Sequence, residues 1–236
     1  MRPPARLAPV LLAALLAALP RPALAGQAVT VTVIEEVVEE AVPAVGGEGG
    51  SDRFVAAAAR APNPRGIAAF GPFRVLDDNR AALVDATDER SPAAFAAMLK
   101  AHPGIRLLEL VECPGTDDDR ANLALGRMIH ARGLSTHVPD GGSVRSGAVE
   151  LFLAGVTHKA EPGAEFAVHS WADEDGHEPS DFPMSAPENR IYLDYYREMG
   201  MSAAEARAFY DMTNSVPNAQ ARWLSAGQMA QWVRYN

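Results

Sequence analysis

The chain predicts an α/β domain with a mostly parallel sheet, flanking helices and a helical C-terminal part. Three observations point there. From residue 66 onward, short apolar runs of strand type alternate with longer segments of helical composition. Turns rich in Gly, Pro and Asp separate them. After Pro187 the strand-like runs stop, and helical segments with aromatic faces follow.

Taken in order, 81–86 (AALVDA) reads as a strand. TDERSPAAFAAMLKAHPG starts a helix, with Ser91 as N-cap, Pro92 at the first helical position and Gly104 beyond the end. RLLELVEC, 106–113, reads as one buried strand. PGTDDD turns the chain, and its aspartates favour the N-terminus of the helix RANLALGRMIHARG. Residues 135–139 form a third strand, 147–154 an apolar helix and 164–171 (AEFAVHSW) a fourth strand. ENRIYLDYYREMG, SAAEARAFYDMT and SAGQMAQWVRY are the closing helices. Their aromatic faces suit packing or a subunit contact better than a cofactor.

Upstream, the texture differs. Residues 1–25 carry Arg2 and Arg6, an unbroken apolar run over 10–19 and a small-x-small site at Ala23-Leu24-Ala25, the layout of a cleavable signal peptide. The run is shorter than the roughly 20 residues a bilayer requires. We therefore expect a periplasmic or secreted protein with no membrane insertion after cleavage. Residues 26–65, with VTVTVIEEVVEEAV and GGEGGSD, read as a flexible acidic and Gly-rich segment, and 66–236 as the folded domain. Removing the three arginines of 1–25 leaves 18 basic against 30 acidic residues, a net charge of −12. That balance argues against nucleic acid, whose binding relies on Lys and Arg at phosphates. Cys113 is alone, so no intramolecular disulfide forms.

The stretch DGGSVRSGAVELFLAG places Ser146 between a glycine-rich turn and an apolar helix. It is either a helix N-cap or a nucleophile with the Gly147 amide beside it. Two further features sit at strand ends or helix starts, where α/β proteins build sites. One is Cys113-Pro114-Gly115-Thr116, whose backbone amides at a turn can hold a developing oxyanion. The other is His169 in FAVHSW, an imidazole among apolar neighbours that needs a partner from elsewhere.

In this order the features match a known pattern. From Phe70 to the last residue, the chain resembles the proteolytic subunit of Clp protease and the wider crotonase-like superfamily, in particular its small secreted members. The resemblance implies a ClpP/crotonase-like fold. It implies Ser146 as nucleophile in VRSGAVELFLAG, and His169 as base in PGAEFAVHSW. Gly115 and Thr116 of ECPGT, with Gly147, would form the oxyanion hole, and WLSAGQ would be the family's C-terminal Phe-Leu-Ser-Ala-like element. The implied activity is acyl transfer from a peptide or small acyl substrate to water, with no metal and no cofactor. The family assembles through its C-terminal part, which implies a homo-oligomer. The chemistry is coherent, because a serine hydroxyl needs an adjacent base and a tetrahedral intermediate needs preorganised donors.

Two departures stand out. The family's aspartate, which orients the histidine, falls at Ala221; Asn214 in MTNSVP is the first substitute and Asp181 in SDFP the second. Arg145 replaces a small residue and would steer a carboxylate substrate or block the site. These departures leave a non-catalytic binding or scaffold protein as the alternative. Other rivals fit less well. The spacing fails G-x-S-x-G of α/β-hydrolases, an acyl-CoA enzyme would meet little CoA outside the cytoplasm, and neither Lys100 nor Lys159 matches a serine–lysine dyad. HSWADEDGH could ligate a metal through His169, Asp173, Asp175 and His177, but a solvated acidic loop explains that run better.

Overall fold

The computed structural model describes residues 53–54 and 62–235. The expected signal peptide lies outside the described residues, as does most of the segment 26–65. Within that segment the described residues are 53–54 and 62–65, and Arg53–Phe54 form a strand, β1. A tight hairpin follows, β2 (Ala68–Phe70) and β3 (Phe73–Val75), leading antiparallel into β4 (Arg80–Leu83). Helix α1 spans Ser91–Ala101. Its N-cap is Arg90, one residue before the Ser91 expected in that role; the Ser91 hydroxyl donates instead to the Asp88 carboxylate at 2.8 Å.

The apolar run 106–113 is not one strand. It divides into β5 (Leu107–Leu110) and β6 (Glu112–Cys113), which belong to different sheets. Val111 is the joint: its N–H donates to Leu83 O at 3.0 Å in the first sheet, and its carbonyl accepts from Ser143 N at 2.9 Å in the second. Strand β7 (Gly115–Thr116) follows, then α2 (Asp119–Ala131), capped by the Asp118 carboxylate accepting from Ala121 N. The same step repeats twice. β8 (Ser135–Val138) lies in the first sheet and β9 (Ser143–Arg145) in the second, ahead of α3 (Ala148–Leu153). β10 (His158–Ala160) returns to the first sheet and β11 (Glu165–Val168) to the second.

The first sheet thus runs β10-β8-β5-β4-β3-β2, parallel from β10 to β4 and antiparallel beyond. The second contains β11-β9-β6, all parallel, and gains an antiparallel edge strand, β12 (Arg222–Ser225). This is the mostly parallel α/β arrangement with flanking helices that the sequence predicts. The main core joins Leu108, Leu110 and Val138 of the first sheet to Cys113, Val144, Phe166 and Val168 of the second, with Phe95, Ile129 and Phe152 from the helices.

The C-terminal part differs in detail from expectation. α4 (Pro187–Glu198) and α5 (Ala203–Thr213) turn Tyr192, Tyr195, Tyr196, Phe209 and Tyr210 inward, so their aromatic faces are core. Between them and the sheet, α2 must have glycine at 126: a Cβ there would stand 2.0 Å from the Tyr195 hydroxyl. The last expected helix begins as β12, and only α6 (Ala226–Met229) is α-helical, entered through a Ser225–Gln228 capping box. Among the described residues no helix is long and apolar enough to cross a membrane.

Candidate active site

Strands β9 and β11 are parallel neighbours, with Arg145 opposite Ala167. Ser146 follows the first and His169 follows the second one residue after its end, so both leave the carboxyl edge of one sheet. Ser146 N–H donates to Ala167 O at 2.8 Å, which pins the serine to the neighbouring strand. Its φ is +52°, the one left-handed non-glycine among the described residues, a conformation costing about 1–2 kcal/mol for an L-residue. Ser146 does not cap α3. That position belongs to Gly147, with no side-chain cap bond. The Ser146 hydroxyl is buried and makes no hydrogen bond to any protein group.

His169 is buried as well, with Nδ1 2.9 Å from Ser170 O. A carbonyl only accepts, so this contact puts the neutral ring's proton on Nδ1 and its lone pair on Nε2. Asn218 braces the same group. Its Nδ2 donates to Ser170 O at 2.8 Å and lies 3.4 Å from Nδ1. Its own backbone N–H is held by Glu178 Oε1 at 3.0 Å. Continuing the β11–β12 register past Val168 and Arg222 brings Ala221 opposite His169; the methyl there leaves orientation to Asn218, three residues earlier.

Neither sequence-predicted substitute takes that role. Asn214 sits at the C-cap of α5, donating to Tyr210 O at 2.8 Å and accepting from Trp171 N at 3.4 Å, so it anchors the segment after His169 rather than the ring. Asp181 closes a capping box on the 3-10 turn Pro179–Asp181, accepting from Glu178 N at 2.8 Å, and is exposed.

The Cys113–Thr116 segment meets the residue after the serine. Thr116 packs on Gly147 so closely that a Cβ on Gly147 would lie 2.6 Å from Thr116 Cγ2. Gly115 has φ +137°, reserved for glycine. The Gly147 peptide is fixed from behind: its carbonyl accepts from Asn122 Nδ2 at 2.6 Å, and Asn122 Oδ1 accepts from Thr87 Oγ1 at 2.9 Å. Sequence reasoning passed over Asn122 and Asn218. The first is one polar residue on an amphipathic helix, the second one of two asparagines in a single loop.

Arg145 neither steers nor blocks. Strand alternation turns it away from the Val144 core face, and its fully buried guanidinium grips both oxygens of Glu112 and also donates to Ser143 Oγ. Cys113 is no rival nucleophile, because burial pushes its thiol far above the ordinary cysteine range.

A cavity of about 680 Å³ runs from Asp117, just after β7, to Trp171, just after Ser170, and neither Ser146 nor His169 lines it. Asp118, Asp119, Asp173, Glu174 and Asp175 supply most of its charge, over a floor of Trp171 stacked on Tyr192. Asp173, Asp175 and His177 come together on this exposed rim without His169, which the sequence had offered as a fourth ligand.

No protein-family model and no curated protein matches the chain. Among solved structures, two forms of the 1510-N membrane-bound stomatin-specific protease are similar. A single-residue mutant in complex with a substrate peptide gives a TM-score of 0.43 at 10% identity, covering 64% of this chain and 69% of that one. A second single-residue mutant gives 0.44 at 11%, covering 64% and 73%.

Proposed function

We propose that the chain is a serine hydrolase of peptidase type, passing an acyl group from a peptide or small acyl substrate to Ser146 and then to water. Ser146 carries the reading. A strained φ and a buried hydroxyl that caps nothing and bonds to nothing make poor sense as packing, and strain of this kind gathers at functional sites.

The steps follow from the residues. The reaction requires Oγ to reach His169 Nε2 by rotation about χ1. As Oγ attacks the substrate carbonyl carbon, its proton passes to Nε2, and the imidazolium is held by Ser170 O through Nδ1–H. The oxyanion takes bonds from the Gly147 amide and the Gly115–Thr116 turn. Collapse breaks the scissile bond, and the leaving group takes the proton from Nε2. Water repeats the sequence to release the acid and restore Ser146. No metal or cofactor enters these steps. On the signal-peptide reading of residues 1–25, the reaction belongs to the periplasm or the exterior.

Labelling with a fluorophosphonate probe tests the reading, comparing wild type with Ser146→Ala. Covalent labelling of wild type alone supports it. Equal absence of labelling in two equally folded proteins overturns it, and a binding protein takes its place.

A further inference from the structure

The two residues expected at the oxyanion turn are also the whole of β7, and β7 already has a partner. β1 pairs with it antiparallel, Arg53 opposite Thr116 and Phe54 opposite Gly115. The other side of β7 is taken by Thr87, whose N–H donates to Gly115 O at 3.1 Å and whose carbonyl accepts from Asp117 N at 2.8 Å. Backbone groups of successive strand residues face opposite sides. The N–H and C=O of Thr116 therefore turn toward Arg53. An amide engaged by a strand carbonyl is not offered to an oxyanion. The site is closed as it stands, with Thr116, Ser146 and His169 exposed by 0%, 1% and 1%.

We propose that the outer edge of β7 is an acceptor for an extended peptide, and that the chain's own Arg53–Phe54 fills it in cis. A peptide arriving in trans and β1 then compete for one edge. The edge follows from the pairing alone. Its consequence, that β1 withholds the Thr116 amide from catalysis, rests on the Ser146 reading above.

Strand addition bonds through the main chain, so side chains set preference rather than affinity. Here the preference is for a basic peptide, because the cavity that begins at Asp117 is acidic. Thr116, the β7 residue that Arg53 pairs with, directly precedes Asp117. A two-residue ladder is weak by itself. Tethering raises its effective concentration to about the millimolar range, enough to exclude dilute peptides and to yield to abundant ones.

The test uses the full chain, comparing wild type with a variant carrying Arg53→Pro, which removes the one β1 N–H that faces Thr116. A fluorescent peptide GGSDRFVAAA, reproducing residues 49–58, is the probe. We expect it to bind the variant about tenfold more tightly than wild type, the competing tether being gone. Exchange of the Thr116 amide should rise in the variant and fall again when peptide saturates. Unchanged Thr116 exchange, or equal peptide binding by both proteins, overturns the proposal. Phe54→Gly keeps both amides and should shift each readout the same way by less, which covers a proline variant that fails to fold. Fluorophosphonate labelling then reads the consequence: faster in the variant and slowed by peptide. Labelling at equal speed with β1 displaced overturns the withholding of Thr116. If no form labels, the Ser146 reading has failed, and binding and exchange still decide the edge.

Discussion

Ser146 holds a backbone conformation that glycine would adopt freely, and the cost of keeping serine there is measurable. Ser146→Gly should be more stable than Ser146→Ala by about 0.5–1 kcal/mol, relief of the left-handed strain outweighing glycine's greater unfolded entropy. Paired denaturation curves check this, and equal midpoints would mean that the turn is unstrained. At His169, replacement by Ala should remove nearly all fluorophosphonate labelling, because a hydroxyl without its base stays protonated and inert. Asn218→Ala should slow labelling by about tenfold with little loss of stability, since it steadies the ring's acceptor. Asn214→Ala should do the reverse, costing about 1 kcal/mol through lost bonds to the α5 carbonyl and the Trp171 amide while changing labelling less. Ser146 and His169 drew attention in the sequence because one stands between a glycine-rich turn and an apolar helix and the other ends the apolar run FAV. The orienting group did not. MTNSVPN contains two asparagines four residues apart, in a loop with no periodicity to say which one faces the ring.

Elements were read well where a polar turn marks their ends, and poorly where two apolar pieces abut. RLLELVEC carries no polar break at Val111, so nothing in its pattern announces that the chain leaves one sheet for the other. The short strands β9 and β10 were missed for a related reason: at three residues each, they are too brief for alternation to show. The α2–α4 contact yields a further prediction. Gly126→Ala drives a methyl into the Tyr195 hydroxyl, which is held by Glu150 O at 2.6 Å and cannot retreat freely. The loss should be about 1–3 kcal/mol, and adding Tyr195→Phe should recover part of it. β10 supplies a pH dependence. Burial lowers the His158 pKa from its ordinary 6.5. Below that value the unfolded chain takes up a proton that the folded chain resists, so stability is present above it and declines toward acid. Melting temperatures between about pH 7.5 and 5.5 should fall less steeply for His158→Gln than for wild type; parallel slopes would remove His158 from the account.

At the scale of the whole molecule, the cavity that runs from Asp117 to Trp171 is lined mainly by acidic side chains, so on the hydrolase reading its influence should show in salt. Hydrolysis of a cationic peptide ester should lose kcat/KM as ionic strength rises from about 20 to 200 mM, with a neutral ester changing far less. The alternation of strand and helix conveyed the class of the fold. It did not convey that each unit spends one strand in each of two sheets, because that depends on contacts between segments far apart in the chain. The same architecture leaves β6 and β9 with two and three residues to find each other, and so short a parallel pairing has many near-equal alignments. The buried Glu112–Arg145 pair discriminates among them. A one-residue slip would carry Arg145 to the core face and strand Glu112 without its cation, an error far costlier than any mismatch of Val with Ala. The pair then acts as a key for alignment more than as a fastening. Replacing both partners with apolar residues of similar size should leave the melting temperature close to wild type, while amide signals from 111–113 and 143–146 split into more than one set.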